Sequence, residues 1–87
     1  MKHYTYILKS NINGRYYYGS TSNLGNRIKS LNLGKVRSTK AFKPWSLHYS
    51  EEFESKTEAI KRELFFKSID GYNFLKANGI TWNKLTL

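Results

Sequence analysis

Hydrophobic and polar residues alternate along three short stretches of the chain, which predicts three β-strands. The stretches cover residues 4–9, 15–19 and 45–53. Asn11-Ile12-Asn13-Gly14 lies between the first two and predicts a hairpin turn, because Asn-Gly supplies the positive φ angles that tight turns need. The two tyrosine-bearing strands are therefore expected to pair.

Two registers of this hairpin are compatible with the turn. A two-residue turn at Asn13-Gly14 pairs position i with position 27 − i, and a four-residue loop over residues 10–13 pairs i with 23 − i. Both registers put Tyr6 and Tyr17 on the same face of the sheet, since side chains alternate between the faces of a strand. The second register also places them directly opposite each other. The two phenols are thus expected to project side by side.

A stripe of apolar residues at helical spacing predicts the first helix over residues 23–32. The stripe consists of Leu24, Ile28 and Leu31. Arg27 lies one turn from both Leu24 and Leu31, so its side chain is expected to flank the buried stripe rather than to point fully outward. Gly34 follows as a stop signal.

The second helix is predicted to begin at a capping box, Ser55-Lys56-Thr57-Glu58. Its predicted inward-facing residues are Ala59, Ile60 and Leu64. Glu63 is then expected on or beside the buried face, where a carboxylate needs a partner or a cation. Asp70-Gly71 is predicted to break this helix, and residues 72–78 to form a short last helix. The residues predicted to fold back on the core are Trp82, Leu85 and Leu87.

The excess positive charge is concentrated in the first part of the chain. Residues 1–50 contain nine basic residues and no Asp or Glu, whereas residues 51–87 contain six of each sign. A block of one sign favours a polyanionic partner, with nucleic acid first and an anionic membrane second, although a domain can also be basic for solubility alone. Residues 35–43 form a basic loop suited to a phosphate backbone. Its basic residues are Lys35, Arg37, Lys40 and Lys43.

Length and composition exclude several other classes of protein. The 87 residues suffice for a single modest core, so residues 1–87 are expected to form one domain. The absence of cysteine excludes disulfides, thiolate metal sites and thiol nucleophiles. No apolar run is long enough for a signal peptide or a membrane span. A cytoplasmic protein without a membrane partner is expected.

Four polar side chains in these elements suit the cleavage of a phosphodiester bond. They are Tyr6, Tyr17, Arg27 and Glu63. A guanidinium offers paired donors to phosphate oxygens, and one carboxylate is enough for Mg²⁺ when phosphate and water complete its shell. A phenol, with an ordinary pKa of about 10, needs a neighbouring charge to take part in proton transfer. Structural roles compete with this reading: tyrosines pack, Arg27 could be solvated, and Glu63 could pair with Lys67.

The ordered set of these residues resembles the GIY-YIG nuclease superfamily. Tyr4-Thr5-Tyr6 corresponds to the GIY element and Tyr17-Tyr18-Gly19 to the YIG element. Arg27 falls at the family's catalytic arginine in the first helix, and Glu63 at its metal-binding glutamate. The resemblance covers residues 2–70. Within the superfamily, the chain is similar to the small single-domain members and to the N-terminal domain of an excision-repair endonuclease.

The resemblance implies an α+β fold, with a three-stranded antiparallel sheet flanked by helices in the order β-β-α-β-α-α. It also implies metal-dependent hydrolysis of double-stranded or branched DNA, with Mg²⁺ or Mn²⁺ as the cofactor. Tyr6 and Tyr17 would align or deprotonate the water, Arg27 would stabilise the phosphate and Glu63 would hold the metal. Asn73 is a candidate supporting residue. The implied setting is DNA repair or recombination.

One departure from the family pattern affects the expected chemistry. Members often carry a histidine four residues after the arginine, and Leu31 occupies that position here. The proton-handling role would then rest on the tyrosines or on water at the metal.

Three hypotheses follow: a metal-dependent DNA endonuclease, a catalytically weak or inactive nucleic-acid-binding module on the same fold, and a basic protein whose partner is RNA or another protein. The oligomeric state is not indicated by the sequence.

Overall fold

The computed structural model describes residues 2–81, which form an antiparallel sheet with helices on both faces. The strands are β1 (His3–Ser10), β2 (Tyr16–Thr21) and β3 (Trp45–Phe53), and the helices are α1 (Leu24–Asn32), α2 (Lys56–Phe66) and α3 (Ile69–Ala77). A short 3₁₀ turn, Lys40–Phe42, lies within the basic loop. The predicted α+β class and the order β-β-α-β-α-α are confirmed. The predicted contacts of Trp82, Leu85 and Leu87 lie outside the described residues.

The hairpin register differs from both predicted registers. Position i of β1 pairs with position 25 − i of β2, which sets Tyr6 opposite Gly19 and Tyr17 opposite Leu8. The loop comprises residues 11–14, because the Ser10 backbone N–H donates to the Arg15 carbonyl at 2.8 Å and the Ser10 hydroxyl accepts from two loop amides. The sum remains odd, so the predicted shared face of Tyr6 and Tyr17 is confirmed. The two rings are diagonal neighbours, with centroids 6.3 Å apart.

Strand β1 is the middle strand of the sheet, which has the order β2-β1-β3. Its residues from Thr5 to Leu8 have no exposed surface, because helices cover both faces. The buried residues between the sheet and α1 are Tyr6, Leu8, Leu31 and Trp45. Those between the sheet and helices α2 and α3 are Ile7, Phe66 and Leu75. The core therefore has two layers that share one strand.

A bulge in β3 determines the face on which Trp45 lies. Ile7 pairs with Tyr49 but Leu8 pairs with Leu47, so His48 is an extra residue in the ladder. Because the shift is one residue, it moves Trp45 to the α1 face, opposite Ser10. The indole joins the buried layer beneath α1 at 4% exposure.

The predicted capping box of α2 is confirmed, but the predicted inward face of the helix is only partly correct. The Ser55 hydroxyl accepts from the Glu58 amide at 3.2 Å. Ala59 is buried and Ile60 is half-buried, whereas Leu64 is 61% exposed. Phe66 is buried instead of Leu64. It lies two helical turns after Ala59 and therefore faces the same side of the helix, whereas Leu64 does not.

The boundary between α2 and α3 lies earlier than predicted. Ser68 caps α3 by accepting a hydrogen bond from the Gly71 amide at 3.1 Å, so Asp70 and Gly71 belong to the first turn of α3 and do not break a helix. Gly71 is required there by close packing. A Cβ atom at this position would lie 1.7 Å from the Phe65 carbonyl oxygen.

Among the described residues, no helix is both long enough and apolar enough to cross a membrane.

Glu51 on β3 forms the most enclosed ion pair among the described residues. Arg62 on α2 donates from Nε to Glu51 Oε1 at 2.7 Å and from Nη2 to Oε2 at 3.2 Å, and the Tyr49 hydroxyl also donates to this carboxylate. Burial acts to raise the pKa of Glu51, but the hydrogen bonds from Arg62 and Tyr49 outweigh it and hold the pKa below its usual value. The ionised form therefore stabilises the fold.

We expect Glu51→Gln to lower the free energy of unfolding at pH 7 by about 1 kcal/mol, because the pair is partly solvent-exposed. A lowered carboxyl pKa contributes stability above its unfolded value of about 4.5 and loses it as pH falls through the folded pKa. The difference between wild type and variant should therefore shrink in urea titrations as the pH is lowered below about 4.5 and through the folded pKa. A loss that is equal at pH 7 and at the lowest pH would point to packing instead of charge. Glu52→Gln, at an exposed pair with Lys2, is the control.

Candidate active site

The guanidinium of Arg27 bridges the two predicted tyrosines. From α1 it donates from Nε to the Tyr6 hydroxyl at 3.0 Å and from Nη2 to the Tyr17 hydroxyl at 3.3 Å. Tyr6 comes from the central strand and Tyr17 from the edge strand β2, so the three residues join three elements. The remaining N–H groups of the guanidinium are further donors for the oxygens of an anion.

Gly19 makes room for the Tyr6 ring. Tyr6 is fully buried, and its phenol extends across the backbone of β2 at Gly19. A Cβ atom at Gly19 would lie 2.3 Å from the Tyr6 hydroxyl oxygen and 2.5 Å from Cζ. The glycine of the second motif therefore sets the position of the tyrosine of the first.

Helix α1 positions Arg27 beside the buried layer, as its sequence pattern predicts. Asn23 caps the helix by accepting a hydrogen bond from the Asn26 amide at 3.0 Å. Leu31 is fully buried beneath the helix, and the other two residues of the stripe, Leu24 and Ile28, pack against the same layer. Arg27 is half-buried beside this stripe and reaches the phenols from the edge of the helix.

Burial and the guanidinium act in opposite directions on Tyr6. Burial raises the pKa of the phenol, the hydrogen bond and charge of Arg27 oppose this, and the net pKa is raised. The hydrogen bond to Tyr6 raises the pKa of Arg27 in turn, although burial acts against it. At neutral pH the arrangement therefore combines a neutral phenol with a permanently charged guanidinium.

Glu63 approaches this cluster from α2. Its side chain is 19% exposed, and its charge contributes to the raised pKa of Tyr6. Lys67, one turn further along the helix, donates from Nζ to Glu63 Oε2 at 2.8 Å. The ion pair that the sequence offered as an alternative is therefore present, and Glu63 is also within electrostatic reach of the phenol.

The carboxylate of Glu63 suits a single hydrated, hard cation. Within residues 2–81, no group of three or more His, Cys, Asp and Glu side chains converges. A lone carboxylate suits Mg²⁺ or Mn²⁺ when substrate phosphate and water supply the other ligands. Lys67 is 48% exposed, so its ammonium group can turn into solvent when another cation takes its place.

Among the described residues, the other predicted site residues make no hydrogen bond with the Arg27 cluster. Asn73 is exposed on α3. The four cations of the basic loop are all exposed. Lys40 and Lys43 converge on Gly34, each with a side-chain atom 3.5 Å from the site of a Cβ there. The sequence did not reveal that Gly19 makes room for the Tyr6 ring. The only signal in the sequence was a glycine that follows the tyrosines of β2.

Comparisons with known proteins point to one family. A family model described as the GIY-YIG catalytic domain matches residues 2–73. The chain is 40% identical over 72 residues to a UPF0213 protein of Bacillus licheniformis, covering 82% of this chain and 73% of the relative. It is 42% identical over 76 residues to a UPF0213 protein of Staphylococcus haemolyticus, covering 86% and 92%. The solution NMR structure of a UPF0213 protein from Bacillus halodurans superposes with a TM-score of 0.53 at 34% identity, covering 88% of this chain and 84% of that one.

Proposed function

The chain belongs to the GIY-YIG family, and on this basis we propose that it is a metal-dependent endonuclease that hydrolyses phosphodiester bonds in DNA. The observation that carries the proposal is the bridge from Arg27 to Tyr6 and Tyr17. The charge of Glu63 on α2 also acts on Tyr6 and helps to raise its pKa. Membership of a nuclease family supports a nucleic acid as the substrate class. The choice of DNA over RNA and the need for a metal are parts of the proposal.

Arg27 is the proposed ligand of the scissile phosphate. Its charge is permanent, and two of its donors are already fixed by the phenols, so the guanidinium is held in one orientation before substrate arrives. A preoriented cation stabilises the charge that grows on the phosphate oxygens in the transition state. Because the planar group offers paired donors, it also fixes the orientation of the phosphate.

Tyr6 and Tyr17 are proposed to position the attacking water and the phosphate, each in a different way. The raised pKa of Tyr6 disfavours the phenolate, so this residue is not suited to removing a proton from water. Tyr6 is fully buried, so its proposed role is to orient the Arg27 guanidinium that holds the phosphate. Tyr17 is half-buried, accepts a hydrogen bond from Arg27 and retains its own O–H as a donor, so it can hold a water or a phosphate oxygen close to the guanidinium.

Glu63 is proposed to hold the divalent cation. When bound there, Mg²⁺ or Mn²⁺ would neutralise phosphate charge and make water more acidic. The carboxylate is semi-buried, which limits the directions in which it can turn, and it accepts a hydrogen bond from Lys67. Glu63 thus provides one negative charge whose field reaches Tyr6.

The basic first half of the chain is proposed to hold the DNA backbone. Residues 1–50 carry nine positive and no negative side chains, and the four cations of the loop are exposed. Phosphate contacts of this kind fix position without reading sequence. Double-stranded or branched DNA is therefore the proposed substrate, with a preference that comes from structure more than from sequence.

Leu31 favours a second candidate function, a nucleic-acid-binding module with little or no catalysis. Family members often carry a histidine at this position, whereas the leucine is fully buried and brings no proton-handling group to Arg27. Binding would then persist through the basic surface without turnover. Salt-dependent binding of DNA with no cleavage across Mg²⁺ and Mn²⁺ would favour this candidate.

The test of the endonuclease proposal is nicking of supercoiled plasmid and branched DNA with Mg²⁺ or Mn²⁺ against EDTA. We expect metal-dependent cleavage that falls by about 10²-fold or more in Glu63→Gln, since the variant keeps the size of the side chain but loses the charge that holds a cation. Glu54→Gln, an exposed carboxylate outside the cluster, should cleave as wild type does. Cleavage that survives in Glu63→Gln would remove Glu63 from the mechanism, and cleavage unaffected by EDTA would overturn the metal dependence.

A further inference from the structure

A pocket of about 190 Å³ opens next to Tyr17 on the α1 side of the sheet. It lies between the start of β2, the basic loop and the start of β3. Residues that line it include Arg15, Tyr17, Ser38, Thr39, Phe42 and Trp45. Tyr17 also accepts the hydrogen bond from Arg27, so one side chain separates the pocket from the candidate active site.

The lining of the pocket combines aromatic rings with a cation. Tyr17 and Trp45 pack with ring centroids 5.8 Å apart, and Phe42 meets Trp45 edge-on at 6.5 Å. The Arg15 guanidinium lies over the Phe42 ring, 4.8 Å from its centroid. Aromatic faces and guanidinium planes are the surfaces on which unpaired bases stack, and stacking accepts any base because each has a π-face.

The size and surroundings of the pocket narrow its occupant. Its volume is below the roughly 300–1,000 Å³ of sites for drug-sized ligands, so it suits a single ring system. Arg37 and Lys40 flank the lining residues of the loop in sequence, and both are exposed. A planar group entering the pocket would therefore arrive next to positive charges that match a sugar-phosphate backbone.

We propose that this pocket binds one nucleobase from an unpaired segment of the DNA strand whose phosphate lies at Arg27. The position of that phosphate rests on the proposed nuclease function. A base within a duplex must be unstacked and unpaired before it can enter a pocket, whereas a base at a branch or in a single-stranded arm can enter without the cost of unpairing. The pocket thus assigns branched DNA with unpaired nucleotides as the substrate class.

The proposal is tested by binding in EDTA, which keeps the measurement independent of cleavage. The probes are a labelled oligothymidylate and an abasic oligomer with the same number of phosphates, compared by fluorescence anisotropy. We expect wild type to bind the oligothymidylate about tenfold more tightly than the abasic oligomer, because only the first has a base to stack. Both probes carry the same backbone charge, so the difference isolates the base.

Ser38→Leu fills the pocket from an exposed loop position without altering the core. It should remove the preference for oligothymidylate and leave the affinity for the abasic oligomer unchanged. Thr57→Leu, which places a leucine at an exposed position on α2, is the control. Arg15→Gln should reduce the preference, whereas Lys61→Gln, an exposed cation on α2, should preserve it.

Equal binding of the two probes by wild type would overturn the proposal, even in a protein that cleaves DNA. A preference that persists in Ser38→Leu would overturn it as well, because the base would then stack elsewhere. A preference that is lost in Ser38→Leu would support the pocket even if the protein cleaves nothing. Failure of the pocket and failure of the nuclease function are therefore separate results.

Discussion

Replacing Arg27 with lysine is expected to lower the rate of DNA cleavage by about 10²–10³-fold, the range found when one donor to a developing oxyanion is removed. An ammonium group cannot span the 3.0 Å and 3.3 Å hydrogen bonds to two phenols and also present paired donors to a phosphate. The loss should fall on kcat, because the positive charge that attracts the backbone is kept. Single-turnover cleavage of a branched substrate gives the cleavage rate, and binding measured separately in EDTA gives the affinity for DNA.

Lys29→Gln is the control for this substitution, because Lys29 is an exposed cation on the same helix. It should weaken binding slightly and leave the cleavage rate of bound DNA near that of wild type. Circular dichroism and urea unfolding must establish that Arg27→Lys remains folded. If the folded variant cleaves within about threefold of wild type, the guanidinium geometry has no part in stabilising the transition state.

Gly19→Ala is expected to lower cleavage by about 10²-fold, because a displacement of about 1 Å in a catalytic group can cost this much. The new methyl group would lie 2.3 Å from the Tyr6 hydroxyl oxygen, so the phenol must leave the position in which it accepts the hydrogen bond from Arg27. Overpacking of this kind also costs about 1–3 kcal/mol of stability. Rates should therefore be compared well below the unfolding temperature of each variant.

Gly25→Ala provides the matched control for Gly19→Ala. Gly25 lies on α1, and a Cβ there would meet its nearest neighbour, Asn23 Oδ1, at 3.7 Å, an ordinary contact. This variant should cleave as wild type does and be at least as stable, because alanine has the better helix propensity. If Gly19 acts through the Tyr6 hydroxyl, the effects of Gly19→Ala and Tyr6→Phe on cleavage will not add. Additive effects would refute that route.

The sequence predicted the elements better than it predicted their junctions. Alternation and capping patterns are local, so β3 and the start of α2 were correct. The hairpin register was wrong because it depends on the Ser10 hydroxyl, which accepts hydrogen bonds from two amides of the loop and so fixes its length. Asp70-Gly71 resembled a helix break, but Gly71 is needed for the approach of α3 to the Phe65 carbonyl, a tertiary contact that composition does not reveal.

The candidate site was predictable in its residue types but not in its contacts. The parity of a β-hairpin puts Tyr6 and Tyr17 on one face in any register with an odd sum, which made this prediction robust. Helical periodicity placed Arg27 beside the apolar stripe. The pocket beside Tyr17 could not be predicted, because it depends on the bulge at His48 that moves Trp45 to the α1 face. A single inserted residue changes the face, and no sequence pattern marks it.

Tyr6 occupies the middle strand of the sheet, where the neighbouring backbone has no exposed surface. Such strands exchange their amide hydrogens only through opening events that approach global unfolding. The backbone that carries the first tyrosine of the site is therefore as stable as the molecule itself, and no local opening of the strand can adjust its position while the remainder stays folded. We then expect adaptation to a new substrate to come from the loop and helix side chains around Tyr6, because the strand that carries Tyr6 is part of the core.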